Sequence, residues 1–105
     1  MNLLFICSRN KWRSRTAETI FKDNGQHAIK SAGTAKSARI RVQQSMLDWA
    51  DKIWVMEQKH KDRLAQDWDT TAYKDKIIVL DIPDEYTYMD EELIEILEHS
   101  LSEYL

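Results

Sequence analysis

Cysteine occurs once in these 105 residues, proline once and glycine twice. The lone Cys7 excludes an internal disulfide and a thiolate metal site, and it makes a reducing, cytoplasmic compartment the expected one. No apolar run approaches the roughly 18 residues of a membrane span. The apolar block Leu3 to Ile6 is short and has no basic segment before it, so neither a secretory signal nor a membrane partner is expected. A formal net charge of −3 gives no overall basic surface for nucleic acid. The Gly-Lys ending of a Walker loop is missing, which excludes that mode of nucleotide binding. There is no repeat, low-complexity tract or linker, and the length suits one small domain, residues 1–105, rather than two.

What charge there is lies unevenly. Arg9, Lys11, Arg13 and Arg15 follow one another with no acid between them, whereas Asp81 to Glu103 holds many acids and neither Lys nor Arg. The first patch reads as an anion mouth and the second as a solvated helix face. Apolar runs at Leu3–Ile6, Ile53–Met56 and Ile77–Leu80 read as buried strands, and His27–Lys30 as a shorter one. Helices are expected over residues 14–24, with Ala17, Ile20 and Phe21 on one face and Asn24-Gly25 as the stop. Val42, Met46 and Trp49 mark a second helix, Lys59 to Trp68 a third, and Leu93, Ile94, Leu97 and Leu101 a closing amphipathic one. Ser31–Thr34 and Ile82–Asp84 read as loops. Alternating strands and helices predict an α/β domain with a four-stranded parallel sheet and helices on both faces. Ligands of such folds bind at the carboxyl ends of the strands.

The stretch Asn2–Arg15 is organised around that end. A strand turning directly into a helix leaves the first helical N–H groups unpaired and aimed into the turn, an anion site. A thiol there is favoured in its charged form, and a guanidinium at the far end of the loop presents a planar fork suited to phosphate. Read without further context, Cys7 is equally a small buried hydrophobe at a strand end. Arg13 read the same way is a surface arginine, although the helix dipole disfavours a cation there.

Cys7-x5-Arg13-Ser14, placed after a strand and before a helix with Asn10 inside, resembles the signature loop of the low-molecular-weight protein tyrosine phosphatases. The resemblance continues in order through Ser31-Ala32-Gly33-Thr34, Ala38-Arg39, Trp49-Ala50-Asp51, Val55-Met56 and Ile82-Pro83-Asp84-x-Tyr86. It implies a three-layer, phosphatase I-like domain. It also implies phosphomonoester hydrolysis through a cysteinyl-phosphate, with phosphotyrosine among the candidate substrates and with no metal or cofactor. The implied partner is a phosphorylated small molecule or phosphoprotein acting on a monomer, a weak dimer being the other arrangement. By the same resemblance Cys7 is the nucleophile, Arg13 clamps the phosphoryl oxygens, and Ser14 donates to the sulfur. Asn10 and Ser31 brace the loop, and Asp84 is the general acid, with Asp81 and Asp90 as alternatives. Ser8, Arg9, Asn10, Lys11, Trp12, Ser14 and Tyr86 are the expected substrate contacts; for Tyr88, packing is the preferred role.

Several positions depart from the pattern. Glu85 replaces a proline beside Asp84, Arg9 a glycine and Arg15 a proline, and Lys36 stands where the family has histidine. The long insertion between Thr34 and Ala38 is missing, so a shallower, more open site is expected. His27, His60 and His99 are expected on solvated surface. The alternative reading is a phosphate- or phosphopeptide-binding module that hydrolyses little. An arsenate reductase, which shares the fold, needs further cysteines that this chain lacks. Trp12 stands where the family often has a second cysteine, and reads either as pocket rim or as surface packing. Without that partner, peroxide is expected to convert Cys7 to a sulfinic acid or, with glutathione present, to a mixed disulfide. Mass spectrometry that found only unmodified thiol after peroxide treatment would contradict this.

Overall fold

The structure is a computed structural model and describes residues 1–22 and 25–104. Its central strand is β1 (Asn2–Cys7), flanked by β2 (Ala28–Gly33) and β3 (Lys52–Val55), with β4 (Ile77–Val79) beyond β3. All pairings are parallel. The apolar run of β1 is buried on both faces, as a parallel sheet between two layers requires. Leu3, Phe5 and Cys7 belong to one half of the core and Leu4 and Ile6 to the other. The first half is closed by α1 (Arg13–Phe21) and α4 (Glu91–Leu101), through Ala17, Leu93, Leu97 and Leu101. There Phe5 stacks on Trp54 at 5.3 Å and on Phe21 at 5.8 Å. The second half is closed by α2 (Gln44–Trp49) and α3 (Gln58–Asp67), through Leu47 and Leu64. Asp90 begins α4 by accepting from the N–H groups of Glu92 and Leu93, and acids in its first turn suit the dipole. Among the described residues no helix is long and apolar enough to cross a membrane.

The strand order β2-β1-β3-β4 means that the chain winds outward to β2 and then crosses back over β1 to β3. The carboxyl ends of β1 and β3 therefore flank the crevice where winding reverses, the ligand position in open α/β sheets.

The predicted α/β architecture and its four strands are present, with shifted boundaries. Helix α1 begins at Arg13. Of its expected stop, Gly25 has a φ of 75°, while Asn24 lies outside the described residues. Ser31, Ala32 and Gly33, expected as loop, continue β2, because each pairs in register with Phe5, Ile6 or Cys7. Val42 precedes α2 rather than joining it. A 3-10 helix, Thr71–Lys76, has no counterpart in the sequence reading.

His60 is the larger correction. It is not solvated: its exposure is 1%. It lies one turn before Leu64 on the inward stripe of α3, and both ring nitrogens are bonded, Nδ1 to the Glu57 N–H at 3.0 Å and Nε2 to Ser8 Oγ at 2.8 Å. His27 is half-buried beside the N-terminal amine, and His99 is exposed.

Burial, together with the charge of Arg13 and against that of Glu57, pushes the His60 imidazole from 6.5 down to about 4. The unfolded chain takes up this proton near pH 6.5 and the folded chain near pH 4. The stability contributed by the neutral ring is therefore whole above pH 6.5 and is lost as pH falls towards 4, by roughly 3 kcal/mol at 1.36 kcal/mol per pH unit. Glu57 titrates below 4.5, beneath most of that window. Denaturant titrations of the wild type should follow this decline between pH 6.5 and 4.5, and His60→Asn should be flatter there; equal slopes would contradict the assignment.

Candidate active site

The loop between β1 and α1 is shaped from behind. The carbonyls of Cys7, Ser8 and Arg9 accept from the N–H groups of Thr34 (3.0 Å), Ala35 (2.9 Å) and Arg39 (2.9 Å). The carbonyl of Asn10 accepts from Arg39 Nε at 3.1 Å. In a planar trans peptide the N–H of each following residue points opposite to the carbonyl. The amides of Ser8, Arg9, Asn10 and Lys11 are therefore turned away from the 34–39 segment, towards the front of the loop. No described hydrogen bond uses the N–H groups of residues 9–12. Asn10, at φ 57°, takes the left-handed turn that successive inward amides need. Gly33 permits the close approach: a Cβ there would lie 2.5 Å from the Ser8 carbonyl oxygen and 2.7 Å from Ala38 Cβ.

In front lies a pocket of about 320 Å³ lined by Cys7, Ser8, Arg9, Lys11, Trp12, Arg13 and Asp84. Cys7 is 4% exposed and Arg13 2% exposed, so sulfur and guanidinium share one enclosed wall. Trp12 lines this pocket and is 44% exposed.

A chain of hydrogen bonds sets the direction of the proton nearest the sulfur. The Glu18 carboxylate can only accept, so Ser31 donates to it, at 2.5 Å. Ser31 must then accept, and Asn10 Nδ2 supplies it at 2.8 Å. The second proton of the same Nδ2 goes to Ser14 Oγ at 2.8 Å. The Ser14 hydroxyl proton is left for Cys7 Sγ at 2.9 Å, nearer than its other acceptor, the Ala32 carbonyl at 3.4 Å. Asn10 Oδ1 is buried without a partner, which shows that the amide serves the serines rather than itself.

Arg13 is held from the other side of the crevice. Its Nη1 donates to Glu57 Oε1 at 2.5 Å and to the Ile82 carbonyl at 2.7 Å. Its Nε lies 3.8 Å from Asp84 Oδ1, so the forked edge of the guanidinium faces the pocket beside Asp84. Burial works against the charge of Glu57, but the bond and charge of Arg13, with Lys59, outweigh it and hold this carboxyl below its ordinary value. The sequence reading missed Glu57. Its signal was position: an acid just past β3, at the reversal of winding and opposite a buried arginine.

Other expectations need adjustment. Asn10 and Ser14 are wholly buried, so their side chains brace the loop and do not line the pocket. Tyr86 does not line it either. It packs half-buried against the α1/α4 half of the core, where partial burial and the acids Glu92, Glu85 and Asp90 push its phenol above the ordinary value. Arg15 lies over the Tyr88 ring at 4.4 Å instead of at the mouth, and Thr19 Oγ1 meets the Tyr88 hydroxyl at 2.8 Å. Of the three candidate acids only Asp84 reaches the pocket: Asp81 lines a separate groove and Asp90 caps α4. Among the described residues no group of three or more His, Cys, Asp or Glu side chains is placed to hold a metal ion.

No protein-family model and no curated protein sequence matches the chain. Solved structures do. A low molecular weight phosphotyrosine phosphatase from Vibrio cholerae O395 superposes with a TM-score of 0.80 at 20% identity, covering 98% of this chain and 95% of that one. A low molecular weight protein tyrosine phosphatase from T. tengcongensis gives 0.75 at 23% identity over 100% and 99%. An arginine phosphatase from Geobacillus stearothermophilus gives 0.67 at 21% identity over 97% and 84%. Over nearly its whole length, then, this chain has the fold of the low-molecular-weight phosphatases.

Proposed function

We propose that the chain hydrolyses phosphate monoesters through a phosphocysteine on Cys7. The observation that carries the reading is the convergence of the Cys7 sulfur, the inward-turned amides and the Arg13 fork on one pocket that also holds Asp84. In the first step the thiolate attacks phosphorus, the bond to the leaving oxygen breaks, and the Asp84 carboxyl gives its proton to that oxygen. Inward amides and Arg13 meet the charge on the equatorial oxygens. In the second step water attacks phosphorus, Asp84 takes back a proton, and the sulfur leaves as thiolate, its charge met by the Ser14 hydroxyl. Splitting the reaction suits a bond that hydrolyses extremely slowly unaided.

The pocket also bears on substrate. Among the described lining residues its one aromatic is the half-open Trp12, which speaks against selection of phosphotyrosine by deep aromatic walls. Arg9 and Lys11 are exposed on its wall and form no described ion pair, which favours a substrate anionic or neutral beyond its phosphate over one carrying a guanidinium.

Hydrolysis of an aryl phosphate tests the reading. Cys7→Ser should abolish turnover while still binding inorganic phosphate. Turnover undiminished in Cys7→Ser would overturn the covalent route, and phosphate binding without turnover in the wild type would leave a binding module. Asp84→Asn should lower kcat by about a hundredfold for poor leaving groups and much less for good ones. A uniform loss across leaving groups would remove Asp84 from proton transfer.

A further inference from the structure

Ser8 and His60 form a part-buried pair that the proposed steps leave unused. His60 is 1% exposed, and Ser8 is half-buried on the pocket wall next to Cys7. The backbone N–H of Glu57 reaches His60 Nδ1 at 3.0 Å. A backbone amide only donates, so Nδ1 keeps its lone pair, and the proton of the neutral ring resides on Nε2. Nε2 lies 2.8 Å from Ser8 Oγ. The direction of that bond is thereby fixed: imidazole donates, hydroxyl accepts.

Two consequences follow. His60 cannot serve as a base towards Ser8, because the nitrogen facing the hydroxyl already carries a proton. This excludes a second nucleophile of the serine–histidine type, despite the distance. The Ser8 proton, in turn, is not used by His60, and no other described hydrogen bond involves this hydroxyl. Ser8 lines both the pocket and the neighbouring cleft that holds His60, so a hydroxyl that accepts from His60 keeps its proton for a guest at the start of the loop.

We infer that Ser8 is a phosphate-contacting donor and that His60 is the positioning residue that aims it. The inference rests on the phosphate site proposed above. It adds a side-chain donor at the start of the loop to the backbone amides and to Arg13 at its end. The first turn of α3 then serves both ends at once: Glu57 grips Arg13 through its carboxylate, and its N–H orients the ring that orients Ser8.

The test is the affinity for inorganic phosphate, followed by NMR titration, alongside kcat/KM for an aryl phosphate. Ser8→Ala should weaken phosphate binding about ten- to a hundredfold, the value of one hydrogen bond to a charged group, and Ser8→Thr, which keeps the hydroxyl, should restore most of it. His60→Asn keeps an acceptor near Nδ1 for the Glu57 N–H but does not reach Ser8. It should cost about threefold, and the double variant Ser8→Ala/His60→Asn should be no weaker than Ser8→Ala alone. Unchanged affinity in Ser8→Ala would overturn the inference, and so would fully additive losses, which would leave His60 a purely structural residue. If His60→Asn does not fold, Ser8→Ala against Ser8→Thr decides. A wild type that binds phosphate without turnover ends the hydrolase reading and leaves this inference standing on the affinities. A wild type that does not bind phosphate ends both.

Discussion

The site depends on carbonyls pointing the wrong way for a ligand. Four successive carbonyl oxygens, Cys7 to Asn10, are drawn to the segment 34–39, and peptide planarity turns the corresponding amides to the opposite side. Nothing about the loop in isolation would hold it so, because a string of unpaired inward amides is costly until an anion arrives. The cost is borne by the second strand. It runs on to Gly33, where a side chain would strike the Ser8 carbonyl, and its continuation supplies the donors. The polarity of the bonds around Asn10 follows from the same packing. Once Glu18 fixes Ser31 as a donor, each later proton has one place to go, and the last reaches the sulfur.

The front of the site is a product of topology. Because winding reverses between β1 and β3, residues distant in sequence meet there: Glu57 from the end of β3, and the Ile82 carbonyl and Asp84 from beyond β4. A guanidinium 2% exposed would be expensive without these partners. With them it is fixed by one nitrogen and keeps its forked edge for a tetrahedral guest. A buried arginine at a helix start, where the dipole opposes it, is thus explained by what lies across the crevice rather than by its own helix.

How much of this the sequence disclosed varies by element, for physical reasons. The strands β1, β3 and β4 and the closing helix were legible because burial on both faces, or on one stripe, leaves long apolar signatures. The end of β2 was not: Gly33 is bare because the loop backbone passes over it, and it follows two other small residues, Ser31 and Ala32, which together read as a turn. The roles of Asn10, Ser14 and Ser31 were legible only through family likeness, since no periodicity encodes a bond between residues on three elements. His60 was misplaced because α3 is polar by composition, and its inward stripe holds little but Leu64 and the histidine itself. Tyr86 was misplaced because a ring near an acid loop packs equally well on the core.

The charge balance of the site explains why its mouth is basic although the chain is acidic overall. The positive charge of Arg13 is already met by Glu57, with Asp84 close by, so the guanidinium alone is a weak lure for a dianion. Lys59 offsets part of that negative charge at 3.7 Å from Glu57. On the proposed reading the net attraction has to come from elsewhere, and Arg9 and Lys11, exposed on the wall and in no described ion pair, are placed to supply it. On the proposed reading, Arg9 compensates for the carboxylates that hold Arg13 in place. The same carboxylates would then be pressed by an incoming phosphate, Asp84 most of all, since it lies on the guanidinium's open edge.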